Sequence, residues 1–404
     1  MRAHALEIFR AGIAAVDGRA RTRDALRAHD DGAVWHLIAV GKAAAAMTLG
    51  AYDALGERVI RGLVVGKKGI PSGELLALPL RVLEAGHPLP DEASLRAGAE
   101  VQAFMAAAPG HARFLCLISG GASSLVERLP AGMDLAALVD LNRWLLASGL
   151  DIVGMNRVRQ AVSCLKGGRL AVALGGRRCR ALLMSDVSGD DPAVIGSGLL
   201  SPGRHDNSPP ALPEALRPRL QFAPPPPATG DPVFAGVSFE IVARLEEALE
   251  AAGAAAIALG YPTRIERERV SGDASAAGER IARALVAGAP GATIRGGETT
   301  VRLPVRAGRG GRCQQLALAA AVTLEGEGDC VLLAAGTDGF DGPGEDAGAL
   351  VDGQTLARGR RHGFNANDCL RCADSGAFLE AAGDLLSTGP TVTNVADLIV
   401  GIRN

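Results

Sequence analysis

His36-Leu37-Ile38-Ala39-Val40-Gly41-Lys42-Ala43-Ala44-Ala45-Ala46 holds the key to the fold: an apolar run of strand length stops at Gly-Lys and passes into small, helix-forming residues. Residues 36–40 predict a short buried strand, 42–55 a helix and 62–65 the next strand. The same rhythm continues outward. Apolar runs of strand length recur at 81–85, 114–119 and 180–185, separated by helical stretches such as 93–107 and 135–146. Strands that alternate with helices in this way predict an α/β fold, with a mostly parallel sheet and helices on both of its faces.

The rhythm breaks after Ser201. Pro202, Pro209, Pro210, Pro213, Pro218 and the run 224–227 deny the backbone its helix and sheet hydrogen bonds, so residues 202–231 are expected as a linker or surface arm. Beyond it the pattern predicts an amphipathic helix over 239–253, a strand over 255–259 and a helix over 273–287. Strand, helix and strand are then expected over 298–305, 316–324 and 331–335. The chain therefore divides into an N-terminal domain of residues 1–201, the arm 202–231, and a second α/β domain of residues 232–404.

Composition narrows the function classes. With 404 residues, 48% of them hydrophobic, the chain is long enough for two cores. Aromatics are only 3% and the net charge is -2, which argues against base-stacking platforms and against nucleic acid or an anionic membrane as partners. The first ten residues lack a signal-peptide core, and no apolar segment reaches the roughly 18 residues of a membrane span, so a cytoplasmic protein is expected. Seven cysteines, an odd number, suit a reducing compartment. Cys369-x-x-Cys372 without a second ligand pair reads as ordinary thiols rather than a zinc site. An apolar αβ surface can support a homodimer.

Several strand ends carry chemistry. Leu183-Met184-Ser185-Asp186-Val187-Ser188-Gly189-Asp190-Asp191-Pro192 stops an apolar run in a polar loop with three carboxylates. Ligands of α/β proteins bind at such junctions, and clustered carboxylates repel one another unless a cation such as Mg²⁺ neutralises them. The plain alternative is a solvated turn that caps the next helix. Ile118-Ser119-Gly120-Gly121-Ala122-Ser123-Ser124-Leu125 is a strand ending in a Gly-Gly turn, a cradle for phosphate or carboxylate if its amides and hydroxyls face a ligand. It is neither a Walker A loop nor a G-x-G-x-x-G loop. Lys42, one residue past the first strand end, is placed to meet phosphate oxygens. Asn156-Arg157-Val158-Arg159 and Lys166-Gly167-Gly168-Arg169 add a cationic segment. In the second domain, Gly297-Glu298-Thr299-Thr300 begins a strand, and Arg312 follows a glycine-rich turn from which its guanidinium can bind an oxyanion bidentately. Thr337-Asp338-Gly339-Phe340-Asp341 repeats the theme of a strand ending in carboxylates, and Thr391-Val392-Thr393-Asn394 is a hydroxyl-rich turn.

Taken in order, these segments resemble the class II glycerate kinases, the glycerate 2-kinase family with an N-terminal glycerate-kinase domain and a C-terminal MOFRL domain. The resemblance runs over nearly the whole chain. It rests on Ala39-Val40-Gly41-Lys42-Ala43-Ala44, Gly86-His87-Pro88-Leu89-Pro90-Asp91, residues 118–123, Lys166-Gly167-Gly168-Arg169-Leu170-Ala171 and residues 185–192. Gly297-Glu298-Thr299-Thr300, Gly310-Gly311-Arg312, Thr337-Asp338-Gly339 and Gly389-Pro390-Thr391 complete it. The resemblance implies a Rossmann-like N-terminal domain, an active site in the cleft between the domains, and phosphorylation of D-glycerate at its 2-hydroxyl with ATP and a divalent metal. The residues the family uses match Lys42 and Arg312. Loop chemistry adds Asp186 to orient or deprotonate the acceptor hydroxyl, and Asp190 with Asp338 or Asp341 to hold Mg²⁺. Substrate or nucleotide contacts are expected from Ser119, Gly120, Gly121, Ser123, Lys166, Gly297, Glu298, Thr299, Thr391 and Asn394.

The chain departs from the family pattern at four places. Cys313-Gln314-Gln315 stands where Asn-Gln-Glu is expected, Ala122 where glycine is common, Gln160-Ala161 where Lys-His is common, and Ala373-Asp374-Ser375 where Asn-Asp-Ser is expected. A kinase for a related small sugar acid, a hydroxypyruvate reductase and a non-catalytic sugar-phosphate sensor are the alternatives. The reductase lacks a dinucleotide fingerprint here.

Overall fold

Trp35–Val40 forms β1, buried at all six positions, because parallel strands on both sides and side chains on both faces leave it no solvent. The structure, a computed structural model, describes residues 1–69, 73–203, 212–391 and 393–404. Pro209 and Pro210 of the expected arm and Val392 of the hydroxyl-rich turn lie outside the described residues.

Two compact units emerge. Gly18–Ala243 is built on a six-stranded parallel sheet in the order β3-β2-β1-β4-β5-β6, with β2 at Val59–Lys67, β3 at Arg81–Ala85, β4 at Phe114–Ile118, β5 at Cys179–Met184 and β6 at Val237–Ala243. Ile38, Val40, Leu63, Val65, Cys116 and Ile118 meet Ala97, Val101 and Met105 of the helix Glu92–Ala106 in one core. On the alternate positions Leu37, Ala39, Leu115 and Leu117 are equally buried, so helices cover both faces as expected.

The second unit combines Met1–Asp17 with Arg244–Asn404. Its sheet runs β11-β10-β9-β12-β8-β7, with β7 at Thr263–Ile265, β8 at Gly291–Gly297, β9 at Cys330–Gly336, β10 at Gly348–Asp352, β11 at Leu385–Leu386 and β12 at Asp397–Arg403. Among the described strands of this sheet β7 and β8 pair in parallel, and the other neighbours are antiparallel. Helices Ala274–Ala287 and Arg312–Thr323 pack on one face, and Arg2–Ala15 and Leu245–Ala258 on the other.

This division corrects the expected boundaries of 1–201, 202–231 and 232–404. Residues 5, 8, 9 and 12 form a buried helical stripe on Arg2–Ala15, and Ile8 and Phe9 bury themselves against Leu249 and Leu398 of the C-terminal unit. The described part of the arm is no free linker: Leu212 and Leu220 pack with Leu138, Leu141 and Val158, and Arg169 donates to the Pro224 carbonyl. The chain then returns to the first sheet as β6. The helix expected over 239–253 is this strand followed by the helix Leu245–Ala258, which also absorbs the strand expected over 255–259. The strand expected over 298–305 lies earlier, at Gly291–Gly297. Among the described residues no helix is long and apolar enough to cross a membrane. All seven cysteines are free thiols.

Candidate active site

In the first unit the carboxyl ends of β1 and β4 are stitched together. Gly41 turns the chain at φ 137°, and a Cβ there would lie 2.1 Å from the Ser119 hydroxyl oxygen, so only glycine permits the approach. Ser119 Oγ accepts from the Ala43 amide at 3.0 Å, and the Lys42 amide donates to the Gly120 carbonyl at 2.9 Å. Ser119 is thus fully buried, and its hydroxyl serves the turn rather than an open anion site. Lys42 is half-buried and precedes the helix Ala44–Leu55, whose N-cap, Ala43, has no side-chain acceptor for the leading amides.

Gly121 follows in the left-handed region at φ 85°. A Cβ there would stand 3.1 Å from His87 Cδ2, 3.2 Å from His87 Nε2 and 3.2 Å from Lys42 Cγ. Bare backbone, an imidazole and a lysine stem therefore converge on one point. His87 belongs to the Gly86–Asp91 motif, which carries no sign of a role by itself, and the sheet is what brings the end of β3 to this corner.

Ser123 reaches Ser197 Oγ at 2.8 Å, Ser197 donates onward to Asn156 Oδ1 at 2.8 Å, and Gln160 donates to the Ser197 carbonyl at 3.0 Å. Its hydroxyl belongs to a polar network behind the glycine loop. Gln160 is buried in that network, where a lysine is common in the family. Lys166 corrects the expectation most sharply. Its side chain is 1% exposed, and its ammonium pairs with Glu127, which also accepts from Ser163 Oγ at 2.5 Å and from the Arg128 amide at 2.8 Å. Burial pulls the lysine pKa down, and the Glu127 charge opposes that. Lys166 is therefore an interior ion pair and not a ligand contact. After β5, Asp186 is half-buried, Asp190 takes a positive φ of 50°, and Asp191 Oδ1 accepts from the Ala193 amide at 2.9 Å.

In the second unit Arg312 heads the helix Arg312–Thr323. Its Nε and Nη2 lie 2.7 and 2.9 Å from the two oxygens of Asp397, and its Nη1 donates to Glu298. Asp397 opens β12, is 4% exposed, and had no motif to reveal it. Asp341 is corrected as a metal ligand. It is 3% exposed, and its two oxygens accept from the Cys313 and Gln314 amides at 3.0 and 2.7 Å, which satisfies the start of the arginine helix. Burial, and then the charge of Asp397, push its pKa up to about 7 against those two hydrogen bonds. Asp338 Oδ1 accepts from the Phe340 amide at 3.0 Å and approaches the bare Gly336 backbone on the same side as Asp397.

Around this cluster Thr391 donates to the Thr337 carbonyl at 2.5 Å, and Thr299 and Asn394 are buried. Gly297 pairs with Asp397 and with Val270, which leaves no room for a side chain. Among the described residues no group of three or more His, Cys, Asp or Glu side chains forms a metal cage. The departures at 313 and 315 face inward. Cys313 is buried, and Gln315 donates to Ser275 Oγ at 3.0 Å and the Leu370 carbonyl at 2.9 Å.

Comparison with known proteins gives the site its context. The domain of unknown function DUF4147 matches residues 4–213, and the MOFRL family matches residues 291–397. A D-glycerate 2-kinase of Thermotoga maritima is 35% identical over 385 residues, covering 91% of this chain and 90% of that protein. A protein of Agrobacterium vitis with a provisional hydroxypyruvate reductase name is 36% identical, covering 90% of this chain and 85% of that one. The crystal structure of a glycerate kinase from Thermotoga maritima superposes with a TM-score of 0.82 at 34% identity, covering 100% of this chain and 99% of that one.

Proposed function

The chain belongs to the glycerate kinase family built of DUF4147 and MOFRL domains, and on that premise we propose that it transfers the terminal phosphoryl group of ATP to the 2-hydroxyl of D-glycerate. The products are 2-phosphoglycerate and ADP. The observation that carries the reading is the corner where Lys42 and the left-handed Gly121 turn meet at the carboxyl ends of β1 and β4. A cation beside bare backbone suits an oxyanion, and phosphoryl transfer asks above all for positioning and charge neutralisation.

Lys42 and Arg312 each give a cation to phosphate oxygens. Arg312 comes oriented, because Asp397 fixes its plane through two hydrogen bonds. Asp186, half-buried at the end of β5, orients the acceptor hydroxyl or takes its proton. Gly120 and Gly121 supply backbone to the anion. Glu298, whose side chain is half-exposed, pairs with Arg312 Nη1, and an incoming oxyanion would compete with it for that donor.

Mg²⁺ suits the carboxylates that remain, since it commonly takes one or two protein oxygens and leaves its other positions to phosphate and water. Asp190 of the first unit or Asp338 of the second would hold it, and Asp341, buried with each oxygen already accepting a helix amide, would not. When bound, the ion neutralises charge on the phosphate chain. The hydroxypyruvate reductase reading has a relative's name behind it but no dinucleotide loop after β1.

ADP release that depends on D-glycerate tests the proposal. Lys42→Ala is expected to lower it by about 10²-fold or more with an unchanged circular dichroism spectrum, and a near-normal rate would remove Lys42 from the reaction.

A further inference from the structure

We propose that His87 is a further substrate-binding residue, one arm of an oxyanion clamp whose other arm is Lys42 and whose floor is Gly121. The inference rests on the kinase reading above and adds to it a residue to which loop chemistry gave no role.

The geometry is specific. β3 ends at Ala85, and the chain turns at once through Gly86, where a Cβ would sit 2.5 Å from the Leu89 carbonyl oxygen. The Gly86 amide donates to Asp91 Oδ1 at 3.0 Å, and the same oxygen accepts from the Ser94 amide at 3.0 Å at the start of the helix Glu92–Ala106. Asp91 Oδ2 is 3.0 Å from Lys68 Nζ. His87 therefore stands in a turn fixed at both ends, which sets where its ring lies.

That ring lies against Gly121. Its Nε2 and the Lys42 stem are each 3.2 Å from the place a Cβ would fill, so the absent side chain is what lets the two converge. A side chain there would also be strained at φ 85°. His87 is half-buried, as is Lys42. An imidazole N–H donates to an oxyanion whether the ring is neutral or charged, and an ammonium supplies a mobile point charge beside it. The fitting ligand is a carboxylate or phosphate oxygen of one of the two substrates.

Steady-state kinetics on His87→Ala and His87→Gln test this, with D-glycerate and ATP varied separately. A rise of tenfold or more in KM for D-glycerate alone assigns the clamp to the carboxylate, and the same rise for ATP alone assigns it to phosphate. Partial recovery in His87→Gln, which retains an N–H donor, and recovery of His87→Ala by added imidazole are expected. A wild-type enzyme that phosphorylates D-glycerate beside a folded His87→Ala with both KM values within twofold overturns the inference and leaves the kinase reading intact. A wild-type protein without that activity overturns the kinase reading instead. The clamp is then read without turnover: titration with inorganic phosphate moves the His87 imidazole resonances if it exists, and leaves them fixed if it does not. The same titration decides the matter if His87→Ala fails to fold.

Discussion

Arg312 lies bidentate on Asp397, with Nε 2.7 Å and Nη2 2.9 Å from the two carboxylate oxygens. Burial alone would lower the guanidinium's pKa, and the charges of Asp397 and Glu298 outweigh it and hold the group well above its ordinary value. The fork of donors is thereby fixed in one plane, with Asp397 almost buried behind it and Glu298 half-exposed in front. An arginine presented in this way differs from a mobile lysine, because its plane is set before any ligand arrives.

Asp397→Asn is expected to keep the shape while losing charge and one acceptor, so that Arg312 loses its fixed orientation. We expect kcat to fall by about 10²-fold, the usual cost of misplacing a reacting group by about 1 Å, with a smaller change in KM. Steady-state kinetics check this; unchanged kcat would mean that the helix alone positions Arg312.

Asp341 makes stability depend on pH in the direction opposite to most carboxylates. Its folded pKa, about 7, lies above the unfolded value, so the folded state binds the extra proton between about pH 4 and 7. Its contribution is full below the unfolded pKa and is lost as pH rises through the folded one. In urea titrations from pH 4 to 8, the stability of the wild type relative to Asp341→Asn should fall as pH rises, by an amount on the order of a few kcal/mol. A constant difference would show that the amide bonds from Cys313 and Gln314 keep Asp341 ionised throughout.

Lys166 and Glu127 form a buried pair, 1% and 4% exposed. Removing one partner strands the other charge, so Lys166→Met should cost about 3–5 kcal/mol, while Lys166→Met with Glu127→Leu should recover most of that loss. Chemical denaturation of the two variants decides it. Equal losses in both would point to packing rather than charge.

Ala373 sits at φ 51°, a left-handed conformation costing a β-carbon about 1 kcal/mol. Asparagine, expected there from the family pattern, tolerates that region through its short polar side chain. Ala373→Asn or Ala373→Gly should therefore raise the denaturation midpoint, with a gain of about 0.5–1 kcal/mol. The turn leads to Asp374, whose Oδ1 accepts from the Arg309 amide at 2.7 Å and so steadies the loop before Arg312. A loss of stability in both variants would contradict this.

What sequence could reveal followed chain distance. The parallel sheet was legible because β1, β4 and β5 are short apolar runs between helices, and Lys42 and Arg312 because each stands beside a glycine turn. The boundary at 243/244 was hidden, since the apolar residues of β6 and of the helix Leu245–Ala258 run together and periodicity alone does not separate a buried strand from a buried helix. Helix Arg2–Ala15 joins the far end of the chain through packing that no local pattern records. Lys166 and Asp341 carried the right chemistry for a site, but burial by Glu127 and by two helix amides took them out of it. His87 and Asp397 gain their places from the sheets.

Phosphorus NMR of the products formed from ATP, Mg²⁺ and D-glycerate decides both the reaction and its position. 2-Phosphoglycerate and ADP are expected in equal amounts, with no product from Arg312→Ala. Phosphorylation at the 3-hydroxyl, or a folded protein that leaves glycerate unphosphorylated but oxidises a reduced nicotinamide with hydroxypyruvate, would contradict the proposed reaction.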